Sequence, residues 1–128
     1  MKKFFVFVYG TLREGETNHR YLKHAELVAE QAWTMGCLYD TGYGYPALIS
    51  GKERVYGECY KVTKRELWLL DQLEGYRGEG KDNLYNRVLS TIYTKYGQFK
   101  AYVYIYALDR VEEMEKISTG DWKAYKTC

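Results

Sequence analysis

The 128-residue sequence contains one proline, three cysteines and two histidines, and each shortage closes off a class of function. Cys37, Cys59 and Cys128 are odd in number, widely spaced and form no C-x-x-C pair, so neither a disulfide framework nor a zinc site is indicated. A reducing, cytoplasmic location is the simplest expectation. Cys37 and Cys59 fall in strand-like runs, where an unpaired cysteine is usually a small buried hydrophobe. His19 and His24 stand at i and i+5, a spacing that makes no metal pair, and no H-E-x-x-H or acidic cluster accompanies them. They read as partly exposed structural residues, and neither a metal nor a cofactor is expected. Ser50, Ser90 and Ser118 lack a nucleophile-elbow context, and no local signature makes Cys59 a catalytic thiol.

Charge of one sign is also missing. The 19 basic and 17 acidic residues are spread along the chain for a formal charge of +2, leaving no electrostatic footprint for nucleic acid or an anionic membrane. No segment approaches the roughly 20 apolar residues needed to span a bilayer. The opening MKKFFVFVYG imitates a secretory leader, but its apolar stretch stops at Tyr9-Gly10 and meets TLREGE without a small-residue cleavage site. It reads as a first strand.

What the chain has is aromatic surface: 15 Tyr, 4 Phe and 3 Trp, a strand-rich composition. The length suits one domain, 1–128, that can fold without staples. FFVFVY (4–9) is apolar throughout, as in a strand buried on both faces. ETNHRYLKHAEL (16–27) predicts a short helix capped by Thr17, with Tyr21, Leu22 and Ala25 inward. Strands are predicted near 28–39, 46–50 and 54–62, a helix over 64–74, and a hairpin from 85–94 and 99–108. The tail is charged from 109 until GDW, where Trp122 is expected to pack back on the body. The fold class that follows is α+β, six strands able to close into a small mixed β-barrel with flanking short helices.

Two stretches carry candidate chemistry. In the first, LLDQLEGY (69–76), Thr63 and Glu66 form a capping box, Leu67, Leu70 and Leu73 give one apolar face, and Gly75 is placed to end the helix. Glu74 therefore falls at the helix C-terminus, where unpaired carbonyls disfavour an anion by about 0.3 to 1 kcal/mol and raise its pKa. Spacing alone allows two readings, a carboxylate pointing into water or a tuned acid. Asp71 offends the same rule and reads as a solvated or capping residue. In the second stretch, VYGTLREG (8–15), a strand runs into a polar Gly-containing loop and then a helix, an arrangement that can leave backbone N–H groups converging on an anion.

YGTLREG, YPAL (45–48), GECYKV (57–62), LDQLEGY, LYNR (84–87) and AYVYIY (101–106) occur in the order seen in the γ-glutamylcyclotransferase-like superfamily, which the chain resembles from Phe5 to about Trp122. The YGTL wording is closer to the γ-glutamylamine cyclotransferase branch. The resemblance implies a six-stranded barrel with a cavity at one end and an activity that cleaves γ-glutamyl amides by internal cyclisation to 5-oxoproline and a free amine or amino acid. It implies a γ-glutamyl small molecule held by the loop Tyr9, Gly10, Thr11 and Leu12, with Glu74 as proton acceptor. Donors for the γ-oxygen are expected from backbone N–H groups near Pro46, Ala47 and Leu48 or from the hydroxyls of Tyr85 and Tyr106. RGEGKDN (77–83) is expected to shape the leaving-group pocket. A non-catalytic ligand-binding or regulatory barrel of the same fold is the alternative, and oligomeric state is left open.

Overall fold

The computed structural model describes residues 2–108 and 111–127; Cys128, expected to be unpaired, lies outside them, as do the first two residues of the charged tail. Six strands run in chain order as β1 (Lys3–Val8), β2 (Glu26–Asp40), β3 (Pro46–Thr63), β4 (Tyr85–Thr94), β5 (Gly97–Tyr106) and β6 (Glu115–Lys116). Helix α1 (Lys64–Glu74) follows β3, and α2 (Trp122–Thr127) ends the described chain. The strands form one sheet in the order β3-β1-β5-β4-β2-β6, and β2 also pairs with β3.

The continuous apolar run of β1 follows from its place in that sheet. It lies antiparallel to β3, from Lys3 opposite Thr63 to Val8 opposite Glu58, and parallel to β5 at Val6 opposite Tyr102. With neighbours on both edges and side chains alternating between faces, both faces must be apolar. Val6 and Val8 enter one core cluster with Leu22, Leu67, Leu70 and Tyr104, while Phe7 and Tyr9 enter another with Leu38, Val55, Ile92 and Trp122. Trp122 is buried, as anticipated for the tail.

The predicted strands 46–50 and 54–62 are one strand, β3, which pairs with β2 in a long hairpin from Asp40 opposite Pro46 to Glu26 opposite Lys61. Ser50-Gly51-Lys52 resembles a turn in sequence but forms a bulge, since Cys37 faces Ile49 and the next paired residue, Gly36, faces Glu53. A Cβ on Gly51 would come within 2.4 Å of the Cys37 Sγ, so the bulge requires glycine there. The strand total still reaches six because the tail supplies the short β6, which extends β2 beside Tyr39 and Asp40. Pairing therefore returns on itself through five strands, β1, β3, β2, β4 and β5, and the expected six-stranded closure is corrected accordingly.

The predicted helix over 16–27 is also corrected. Only His19–Leu22 turns, as a 3-10 helix, and Asn18 rather than Thr17 stands at its N-cap. The Asn18 backbone N–H and side-chain amide both bind Thr11, and β2 takes the chain from Glu26 onward by pairing with β3. Tertiary pairing overrides local periodicity here, although Leu22 is buried and Tyr21 and Ala25 pack on the core as expected.

Gly57 tests the β1–β3 contact. A Cβ there would lie 2.1 Å from the Val8 carbonyl oxygen and 2.9 Å from the Phe7 ring. Gly57→Ala is expected to lower stability by about 1–3 kcal/mol or more in urea unfolding; an unchanged midpoint would contradict the packing described.

Candidate active site

Helix α1 begins with the anticipated capping box: Thr63 Oγ1 accepts from the Glu66 N–H at 3.1 Å, and the Thr63 N–H donates to Glu66 Oε1 at 2.7 Å. It ends at Gly75 in the left-handed region, φ 69°, with the Gly75 N–H on Gln72 O at 3.3 Å and the Tyr76 N–H on Asp71 O at 2.9 Å. This double bond pattern closes the last turn and makes Glu74 its final helical residue. The Gly75 carbonyl accepts from the Leu84 N–H at 3.1 Å, which ties the helix end to the start of β4.

Glu74 points inward. Its carboxyl borders a narrow cavity of about 20 Å3, lined by β1 residues, Tyr9 to Leu12, Tyr45, Pro46, Tyr85 and Tyr104. The residue keeps partial exposure, whereas its carboxyl is enclosed by protein atoms, and burial pushes the pKa up from 4.5 to about 7. Among the described residues no cation pairs with it. Its charge in turn helps burial hold the hydroxyls of Tyr9, Tyr85 and Tyr104 well above the ordinary tyrosine range, and it also acts on Tyr45.

The other acid of the last turn has a partner. Arg87 donates to Asp71 Oδ2 at 2.6 Å, Tyr104 donates to Asp71 Oδ1 at 2.7 Å, and the guanidinium lies over the rings of Tyr76 and Tyr102. Asp71 is thus a half-buried ion-pair partner, not the solvated residue that spacing suggested.

The YGTL loop forms the other wall. The Arg13 N–H bonds Gly10 O at 3.1 Å, which places Thr11 and Leu12 at the corner of a turn whose own hydrogen bond leaves their N–H groups unused. A Cβ on Gly10 would sit 2.7 Å from the Pro46 ring, so only glycine lets the loop and the β3 start meet. Glu58, 5% exposed, fastens the loop from behind: it accepts from Arg13 Nε at 2.8 Å, the Glu14 N–H at 2.8 Å and Tyr60 Oη at 3.0 Å. Arg13 also reaches Asp121 at 2.9 Å, and His19 Nδ1 lies 3.0 Å from the Leu12 carbonyl.

Several expected site residues occupy different places. Tyr9, Gly10, Thr11, Leu12, Pro46, Tyr85 and Glu74 come together around the cavity. Ala47 and Leu48 are buried in the ladder opposite Tyr39 and Leu38, and neither lines the cavity. Tyr106 packs edge-on behind Tyr85 at 5.4 Å. The Tyr85 hydroxyl donates to Pro46 O and that of Tyr9 to Tyr104 O, both at 2.5 Å. Tyr45 lines the cavity with a hydroxyl that makes no hydrogen bond among the described residues; it begins the YPAL motif but went unselected, because an additional tyrosine in a tyrosine-rich chain carries no sequence signal.

The cavity adjoins an outer groove through the shared residues Thr11, Tyr45, Glu74 and Tyr85. Thr17, Asn18, Tyr43, Gly44, Leu73 and Leu84 complete that groove. Residues 77–83, expected to shape it, fold away instead: Asn83 accepts from the Arg77 N–H and donates to Gly78 O, and Lys81, Asp82 and Asn83 line a separate hollow. Cys59 is fully buried, its thiol pushed up to about 12, which suits packing and not catalysis. No helix of the described residues is long and apolar enough to cross a membrane.

Comparison with known proteins agrees with this geometry. The family model described as "Gamma-glutamyl cyclotransferase, AIG2-like" matches residues 6–124. A Niallia circulans protein named gamma-L-glutamyl-butirosin B gamma-glutamyl cyclotransferase is 41% identical over 122 residues, 94% of this chain and 76% of that protein. The crystal structure of YkqA from Bacillus subtilis superposes with a TM-score of 0.78 at 31% identity, covering 98% of this chain and 42% of that one. An AIG2-like protein from Mus musculus shares the α+β fold with a TM-score of 0.72 at 24% identity, covering 88% of this chain and 82% of that one.

The buried carboxyl gives a stability prediction with a definite sign. Because the folded state holds the Glu74 proton up to about pH 7 and the unfolded state only to about 4.5, this contribution is fully present below pH 4.5 and lost as pH rises through 7. Glu74→Gln, always neutral, is expected to match wild type near pH 4 and to exceed it at pH 8 by up to about 3 kcal/mol. Urea unfolding at both pH values checks this; equal differences at the two would contradict an enclosed carboxyl.

Proposed function

Because the chain belongs to the γ-glutamyl cyclotransferase, AIG2-like family, we propose that it is an enzyme that cleaves γ-glutamyl amides to 5-oxoproline and a free amine or amino acid, with Glu74 as the acid and base. The observation that carries this reading is the enclosed, cation-free carboxyl whose pKa is raised to about 7. Such a group can take a proton and return it near neutral pH.

The reaction needs no protein nucleophile and no cofactor. The substrate's α-ammonium gives a proton to the Glu74 carboxylate, and the freed amine attacks the substrate's own γ-carbonyl carbon. A carbon–nitrogen bond forms, closing a five-membered ring, and negative charge develops on the γ-oxygen. When the carbonyl re-forms, the original amide bond breaks as Glu74 gives its proton to the leaving nitrogen; the ring nitrogen, left with one proton too many by the attack, passes it to the freed Glu74 carboxylate, and the departing amine or water carries it off. Holding the substrate folded for this attack can exploit effective molarities of order 10⁵–10⁸ M. The Thr11 and Leu12 N–H groups are assigned to the α-carboxylate. The unpaired Tyr45 hydroxyl is assigned to the γ-oxygen, because the Tyr85 and Tyr9 protons already serve backbone carbonyls. The relative from Niallia circulans, named for a γ-glutamyl butirosin, makes a leaving amine carried on a larger molecule a natural variant of the same reaction.

The test is 5-oxoproline release by purified protein from a panel of γ-glutamyl amines and γ-glutamyl amino acids. Glu74→Gln keeps size and removes basicity, and it is expected to lower kcat by about 10²-fold or more with the fold intact by circular dichroism. Undiminished release in the variant would defeat the role given to Glu74, and no release from any member would favour a binding protein of the same fold. In wild type, kcat/KM should climb as pH passes through about 7, where Glu74 loses its proton.

A further inference from the structure

The turn between β2 and β3 presents an exposed tyrosine in a fixed position. Tyr43 is 80% exposed, yet its backbone N–H is held by Thr41 Oγ1 at 3.2 Å, and the same hydroxyl donates to Tyr45 O at 2.6 Å. Gly42 and Gly44 on either side take positive φ, 84° and 91°, which a side chain would resist. The Tyr43 ring stacks on Tyr45 at 6.4 Å and 27°, and Tyr45 meets Tyr85 at 6.3 Å. An aromatic wall thus runs from solvent down to the cavity that holds Glu74.

That wall is one side of the outer groove, which has a volume of about 330 Å3. The rest of its lining is polar but uncharged, from Thr11, Thr17 and Asn18, or aliphatic, from Leu73 and Leu84. Among the described residues its lining has no lysine, arginine or histidine, and the one charged group there is Glu74. A second carboxylate placed there would find no cation among the described residues to replace its water, and the Thr11 and Leu12 N–H groups are already assigned to the substrate's α-carboxylate. A flat or ring-shaped apolar group would find an aromatic face to cover.

We propose that Tyr43 and Tyr45 form the subsite for the leaving half of the substrate and select amines that bear a ring and lack a carboxylate. The inference rests on the cyclotransferase reading of the adjoining cavity and adds to it the chemistry of the departing group. The γ-glutamyl half meets the Tyr9–Leu12 loop at the mouth of the narrow cavity, its scissile amide lies at the shared residues beside Glu74, and the amine's body lies along the tyrosines. Selection acts through Tyr43 at the rim and leaves the proton-transferring group untouched.

The experiment measures kcat/KM for 5-oxoproline release from γ-glutamyl-ethylamide, γ-glutamyl-phenethylamide and γ-glutamyl-phenylalanine. The first two differ by a ring and the last two by a carboxylate. Phenethylamide is expected to exceed ethylamide by about three- to tenfold, the scale of one aromatic contact, and to exceed the phenylalanine conjugate by about tenfold or more. Tyr43→Ala, at an exposed turn position that does not endanger folding, is expected to bring the ring preference close to one, mainly through KM. Tyr96→Ala, at another exposed tyrosine on the β4–β5 turn, should keep the wild-type ratio. A ratio that survives Tyr43→Ala, or a phenylalanine conjugate turned over as well as the phenethylamide, would overturn the subsite while leaving the cyclotransferase reading standing. No 5-oxoproline from any of the three would overturn both.

Discussion

Glu74 is a carboxyl that the fold encloses among tyrosines with no cation paired to it among the described residues, and the construction around it bears on keeping it so. A helix end is an unfavourable place for an anion, a cavity more so, and the two act in the same direction. An arginine within reach would cancel both. The arginine that α1 does meet, Arg87, is held by Asp71 and two tyrosine rings. Two carboxylates three residues apart in the last turn of α1 have opposite fates, one ion-paired and one enclosed by burial.

The opposite wall of the cavity is rigid for another reason. The YGTL loop is anchored by the burial of Tyr9 and Leu12 in the core and, from behind, by ionic bonds: Glu58 binds Arg13, the Glu14 N–H and Tyr60 at once, and Arg13 continues to Asp121 ahead of α2. A buried ion pair adds little net stability, but breaking one side would leave Glu58 charged inside the protein. That penalty holds Arg13 and Glu14, and with them the end of the loop, in place. It also makes the C-terminal segment part of the site, through Asp121, without bringing it near the cavity.

Much of this was legible in the sequence, and unevenly. The limits of α1 were readable because capping is local chemistry: Thr63, Glu66 and Gly75 determine where the helix starts and stops whatever surrounds them. The inward burial of Tyr21 and Leu22 was readable too, but not the state of their backbone, because the partner that draws residues from Glu26 into strand lies more than thirty residues away in β3. The bulge at Gly51 looked like a break for the same reason. The ion pair of Asp71 is not legible locally because its partner Arg87 is on another element. The significance of Tyr43 and Tyr45 is positional: a tyrosine stands out only when its neighbours and its exposure are known.

The cavity and the groove separate two physical tasks that a single pocket would confuse. Raising the Glu74 pKa requires exclusion of water and of positive charge, and both demand a small, closed space. Accepting varied amines requires an open surface with adaptable contacts. Placing an enclosed cavity and an open groove side by side, joined at Thr11, Tyr45, Glu74 and Tyr85, lets the second change without altering the first. Substitution at the β2–β3 turn can then alter which amide is used while the proton chemistry stays the same. On this arrangement, diversity of substrate within such a fold is expected to concentrate at 41–45 and at 17–18 rather than in the loop after α1, where Asn83 ties the chain back to itself.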